Sequence, residues 1–138
     1  MYKFPGSCYD MILRQVVEPL HIPMEHFLNL PTRSEDFDRD CRAFEAEIAA
    51  RGGVDLQVLG IGQNAHIGFN EPDVKFAATT HKVELDEETI QANSRFFASI
   101  DEVPRYAISM GIKTIMMAEH VILLANGKNK AEAVYKAV

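Results

Sequence analysis

The segment Gly60-Ile61-Gly62-Gln63-Asn64-Ala65-His66-Ile67-Gly68-Phe69-Asn70-Glu71-Pro72 holds one imidazole and one carboxylate, His66 and Glu71, in a glycine-punctuated stretch. Imidazole titrates near neutrality, so His66 can take a proton and return it within one turnover. Glu71 is close enough along the chain to curl back, orient the ring and stabilise its cation. Gly60 and Gly62 let the backbone approach a ligand or take positive φ, although such a pair also marks many strand–helix turns. A purely structural reading stands beside the chemical one, with a capping histidine and a solvated glutamate in a long loop. A third reading makes His66, Glu71 and His81 metal ligands, but no His-Glu-x-x-His or Cys/His spacing accompanies them.

Cations are the second chemical feature. Lys128 and Lys130 flank the start of the last expected helix, where outward backbone N–H groups and the helix dipole favour an anion such as phosphate. Arg95, in Ala92-Asn93-Ser94-Arg95-Phe96-Phe97, can offer a bidentate guanidinium to the same kind of group, or sit as a favourable cation at a helix C-terminus. Two exposed lysines with no ligand are the plain alternative for Lys128 and Lys130.

Elements must place these groups. Apolar residues at helical spacing predict helices over Cys8–Leu20, capped by Ser7, and over Ser34–Arg51, ended by Gly52-Gly53. Short apolar runs predict strands at His26–Leu28, Asp55–Leu59 (buried), Lys82–Leu85, Arg105–Met110 and His120–Leu124. Helices are expected over Asp86–Phe97, with Asp86 at the cap, over Ile112–Ala118 and over Lys128–Val138, and a long loop over residues 60–80. Helices alternating with short apolar strands predict one α/β domain over residues 1–138, with a Rossmann-like, mostly parallel sheet and flanking helices. Ligands of such sheets sit at the carboxyl ends of the strands, where the loops after Leu59 and after Ala125 both emerge.

The bulk properties exclude other classes. The chain has 138 residues, 47% hydrophobic and 25% charged, with a net charge of −6, so a basic nucleic-acid-binding face is not expected. No stretch reaches the apolar length of a membrane span, and the N-terminus lacks the apolar core of a signal peptide. Cys8 and Cys41 lie in no metal-like pattern and read as reduced thiols, which makes the cytoplasm the expected location.

Four strings taken in order, GIGQNAHIGFNEP, ANSRFF, DEVPRYAISMGI and NGKNKAEAV, closely resemble the glucosamine-6-phosphate deaminase (isomerase) family. The likeness runs from Pro5-Gly6-Ser7-Cys8-Tyr9 to the end. Related phosphogluconolactonases share the fold but not HIGFNEP. The resemblance implies conversion of glucosamine 6-phosphate to fructose 6-phosphate and ammonia, with no cofactor or metal. It implies that His66 opens the sugar ring with support from Glu71, that Arg95 and Lys130 bind the phosphate, and that Gly60 lines the substrate site. Many members carry aspartate where this chain has Asn64; asparagine, which also occurs there, can hydrogen-bond the histidine but cannot neutralise its cation. In the family, an Asp-Glu-Tyr segment with the catalytic base and a Gly-rich Ser/Thr loop precede the matched region, and neither string occurs in residues 1–138. A domain truncated at both ends is therefore expected, with exposed strand faces. Alternatives are an enzyme for another phosphosugar, such as galactosamine 6-phosphate, and a non-catalytic sugar-phosphate-binding remnant. Some family members are hexamers, so a homo-oligomer is among the forms the resemblance implies.

Overall fold

The computed structural model describes residues 7–31, 34–72, 76–85, 87, 90–91 and 94–137. Helix α1 (Cys8–Ile12) begins where Ser7 Oγ accepts from the Asp10 backbone N–H at 3.1 Å, the expected cap. The expected helix to Leu20 changes winding early: Leu13–Val17 is a wide π-turn, with Glu18 N donating to Leu13 O. Pro19 has no N–H with which to continue the ladder. The strand expected at His26–Leu28 is not formed. Met24–His26 is instead a 3-10 turn entered from Pro23, whose fixed φ suits a tight turn, and the Phe27 ring stacks on Tyr9 at 5.3 Å.

Helix α2 (Phe37–Ala50) is shorter than the expected Ser34–Arg51, because Asp36 takes the cap and its carboxylate accepts from Arg39 N at 2.9 Å. Gly52 and Gly53, at φ of 95° and 100°, end it. Strand β1 (Leu56–Gly60) follows. It pairs in parallel with β4 (His120–Leu124), Leu56 opposite His120 and Gly60 opposite Leu124. This parallel sheet with its helices gives the α/β class. Strands β2 (His81–Glu84) and β3 (Tyr106–Ser109) form a separate antiparallel pair, His81 opposite Ser109. Helix α3 (Ile112–Met116) follows β3, and the 3-10 turn Lys128–Lys130 opens α4 (Ala131–Ala137). Of the expected helix over 86–97, the Asp86 cap and residues 88, 89, 92 and 93 lie outside the described residues. Within it Glu87, Ile90 and Gln91 are helical and Ser94–Phe96 is a 3-10 turn.

The expected burial of β1 is not met. Leu56 and Val58 are 52% and 53% exposed, and every residue of β4 is exposed, because among the described residues no layer covers this face of the pair. The buried apolar groups lie elsewhere: Tyr9, Val17, Cys41, Ile61, Ile90, Val103, Ile108, Ile115 and Ala133.

One carboxylate ties three segments together. Glu45 of α2 accepts from the backbone N–H and hydroxyl of Thr80, just before β2, and from the hydroxyl of Thr114 in α3 at 2.8 Å. Burial opposes ionisation of Glu45, but these donors and the charge of Lys113 outweigh it and hold the carboxyl below its usual range. A depressed carboxyl contributes stability above its unfolded value, and that contribution is lost as pH falls through the folded value. Glu45→Ala should therefore destabilise the fold by about 1–3 kcal/mol, since buried donors lose their acceptor. Glu45→Gln keeps an oxygen acceptor and should flatten the acid limb of a thermal-stability profile. An unchanged acid limb would remove Glu45 from this role.

Candidate active site

The loop that leaves β1 folds back on itself twice. In the first turn, Gly62 N donates to His66 O at 2.8 Å and Ala65 N to Gly62 O at 3.2 Å. Ala65 sits at φ 73°, a left-handed conformation that costs a non-glycine residue about 1–2 kcal/mol, so the turn is held by its surroundings. Gly62 is buried, and a Cβ there would overlap the His66 imidazole. Glycine at 62 is thus a steric condition for the ring's position.

The second turn is Ile67-Gly68-Phe69-Asn70. Ile67 and Asn70 exchange both backbone hydrogen bonds, at 3.2 and 3.0 Å, as a single antiparallel bridge. Gly68, at φ 61°, makes the reversal. The bridge sets the strands entering and leaving the turn side by side, so His66 before it and Glu71 after it face each other. The return of Glu71 toward His66, expected from the sequence, is achieved by this clasp.

Asn64 stands between the two. Its Oδ1 accepts from the His66 backbone N–H at 3.1 Å and lies 2.7 Å from His66 Nδ1. Its Nδ2 donates to Glu71 Oε2 at 2.5 Å. The orientation of this amide follows from its partners: a backbone N–H needs the oxygen, and a carboxylate needs the nitrogen. Nδ1 of the neutral imidazole therefore carries the hydrogen, and Nε2 keeps the lone pair. Glu71 Oε1 is 3.8 Å from Nδ1, so the carboxylate reaches the ring chiefly through the amide. The side chains of His66 and Glu71 are 38% and 43% exposed, open to a ligand from solvent.

The cationic residues come from other segments. Gly60 ends β1, opposite Leu124 at the end of the parallel strand β4. The loops bearing Asn64, His66 and Glu71, and those bearing Lys128 and Lys130, therefore leave the same carboxyl edge. Lys130 is half-buried as the last residue of its 3-10 turn, and its N–H donates to Gly127 O at 3.1 Å. Arg95 lies exposed on the 3-10 turn Ser94–Phe96, between β2 and β3. His81 borders a small open cleft with Glu71, but its Nδ1 lies 2.9 Å from Thr79 O, which occupies that nitrogen. Among the described residues no three His, Cys, Asp or Glu side chains gather as a metal site. No helix among them is long and apolar enough to cross a membrane.

Two further residues hold the loop in place. Asn70 and Ser109 are 7% and 4% exposed and bond to each other, joining the loop to the end of β3. The available signal was a serine closing an otherwise apolar strand, Tyr106-Ala107-Ile108-Ser109, since buried hydroxyls in strands need partners.

Residues 3–138 match the family model described as glucosamine-6-phosphate isomerases/6-phosphogluconolactonase. A glucosamine-6-phosphate deaminase from Clostridium acetobutylicum is 54% identical over 134 residues, covering 97% of this chain and 56% of the relative. One from Thermoanaerobacter sp. (strain X514) is 56% identical over 135 residues, covering 97% of this chain and 53% of the relative. A solved structure of a monomeric glucosamine-6-phosphate deaminase superposes with a TM-score of 0.88 at 40% identity, covering 97% of this chain and 56% of that one. The chain thus spans a little over half the length of the relatives it matches.

The Gly62 contact yields a test. In Gly62→Ala the new methyl must displace the imidazole, breaking its approach to Asn64, at a cost of about 1–3 kcal/mol for overpacking. A lowered melting temperature together with a rotated His66 ring in a crystal structure is the expected outcome. An unmoved ring would mean that Gly62 does not set its place.

Proposed function

The chain belongs to the family of glucosamine-6-phosphate isomerases and 6-phosphogluconolactonases, and from this premise we propose that its activity is the conversion of glucosamine 6-phosphate to fructose 6-phosphate and ammonia. One observation above all supports the reading: the Asn64-bridged pair of His66 and Glu71 at the carboxyl edge of the parallel strands, with Nε2 of the imidazole as its lone-pair nitrogen.

The chemistry begins with ring opening. His66 Nε2 takes the proton from the hydroxyl on C1 as the C1=O bond forms and the bond from C1 to the ring oxygen breaks. The ring oxygen then takes that proton back from Nε2, and the imidazole ends neutral as it began. During transfer the imidazolium donates through Nδ1 to Asn64 Oδ1, and the Glu71 carboxylate behind the amide favours the cation. Next a base removes the proton on C2, giving an enediol-like intermediate that is protonated on C1. Water adds to the C2 imine that results, and ammonia leaves. His66 is not assigned the C2 proton. Gly60 lines the sugar site, and Arg95 and Lys130 hold the phosphate, whose charge matches two cations from separate segments. A soluble phosphosugar substrate fits a cytoplasmic enzyme. The exposed apolar strands β1 and β4 favour association with further polypeptide, in an oligomer among other forms.

Two measurements test this reading. In a form of the protein that also carries the Asp-Glu-Tyr segment, Arg95→Ala and Lys130→Ala should each raise the Michaelis constant for glucosamine 6-phosphate about 30- to 1000-fold, equivalent to about 2–4 kcal/mol of lost binding. Unchanged constants in both would reject the phosphate assignment. His66→Gln should slow turnover of the closed pyranose more than that of a substrate supplied in open-chain form. Equal losses on the two would take the ring-opening step away from His66.

A further inference from the structure

We propose that Asn70 and Ser109 are positioning residues for His66: the bond between the loop and the end of β3 holds the clasp from which Glu71 and the imidazole face each other. The proposal rests on the reading of His66 as the proton-carrying group and adds two residues to which no role has been assigned.

The geometry is specific. Ser109 Oγ accepts from the Phe69 backbone N–H at 3.1 Å and from Asn70 Nδ2 at 3.2 Å, and lies 3.2 Å from Met110 O, to which it donates. Asn70 Nδ2 also lies 2.8 Å from Met110 O and 3.0 Å from Ile67 O, so its two hydrogens serve three acceptors with one bond shared. Phe69 and Asn70 are thereby fixed to a strand whose residues lie 39 to 40 positions further along the chain. The strand is a firm base, since β3 is paired with β2 from Ser109 opposite His81 onward. Asn70 and Ser109 are both buried, so each lost bond leaves an unpaired polar group that water does not readily replace.

The consequence reaches the ring through the backbone. The Ile67–Asn70 bridge is a single rung, and an isolated rung in a glycine-containing loop does not hold its register unaided. Fixing Asn70 to β3 fixes that rung. The rung sets Glu71 against Asn64, and Asn64 presents its oxygen to Nδ1. Without the anchor Asn64 and Glu71 are free to part, and the Nδ1–H form loses its acceptor. Gly68 touches the anchor from outside. A Cβ there would come within 3.0 Å of Ser109 Oγ, at a φ of 61° that already disfavours a side chain.

The test reads the imidazole directly. Nitrogen-15 NMR of neutral His66 should show the Nδ1–H tautomer in the unaltered protein and a mixture with Nε2–H in Ser109→Ala. Ser109→Thr, which keeps the hydroxyl, should restore the single form. With glucosamine 6-phosphate, Ser109→Ala should lower kcat by about 10–100-fold with KM little changed, as expected for a misplaced catalytic group with phosphate contacts intact. If Ser109→Ala does not fold, Gly68→Ala decides, because it strains the same contact without emptying a buried position, and it should shift the tautomers the same way. Unchanged tautomers in the folded variants would overturn the proposal. A tautomer shift in a form of the protein that carries the family's Asp-Glu-Tyr segment and still never releases ammonia from glucosamine 6-phosphate would leave the positioning role standing and overturn the proposed reaction instead.

Discussion

The buried amide of Asn70 reaches back to Ile67 O and across to Ser109 Oγ and Met110 O, and the chemistry of the loop is built outward from that junction. A loop over residues 61–72 has far more conformations than a site can use, and ordering each residue costs about 1–2 kcal/mol. Local turns cannot offset that cost alone. Here the left-handed Ala65 and Gly68 define two reversals, and hydrogen bonds to β3 choose one arrangement of them. His66 and Glu71 flank the second reversal, so fixing its base fixes both.

Electrostatics then acts on geometry already set. His66 and Glu71 are more than a third exposed, and an ion pair of that kind contributes about 0–1 kcal/mol. Its value lies less in attraction than in direction. The Asn64 amide, with an oxygen for the ring and a nitrogen for the carboxylate, converts a loose pair at 3.8 Å into two short, oriented hydrogen bonds. An aspartate at 64 would offer no donor to Glu71 and would set two like charges side by side. Asparagine therefore suits a site in which the charge sits one residue further from the ring.

The parallel pairing of β1 with β4 supplies the other half of the arrangement. Parallel strands end together, so the histidine loop after Gly60 and the lysine loop after Leu124 emerge on one edge. The same pair leaves Leu56, Val58 and the whole of β4 exposed, in a chain spanning a little over half of its relatives. Stability is gathered instead around α2, where Glu45 joins the segments that lead into β2 and α3.

Much was legible in the residues themselves. A glycine pair, Gly52-Gly53, ended α2, Ser7 capped α1, apolar runs marked β1, β3 and β4, and the string from Gly60 to Pro72 identified the loop that holds the imidazole and carboxylate. These are local properties, set by propensity, capping and spacing within a few residues. Partners were not legible. An exposed apolar strand has the same composition as a buried one, so the uncovered faces of β1 and β4 were expected only from the resemblance to a longer family domain and not from their own residues. The antiparallel pairing of β2 with β3 depended on what lay nearby in space, whereas the wide turn at Leu13–Val17 and the 3-10 turn at Met24–His26 had local signals in Pro19 and Pro23 that apolar spacing alone did not weigh. The sequence determined by itself which residues could move a proton and which turns could carry them. Only the tertiary structure decided that Asn70 would find Ser109, 39 positions away, because hydrogen bonds between distant segments exist only after the chain has brought them together.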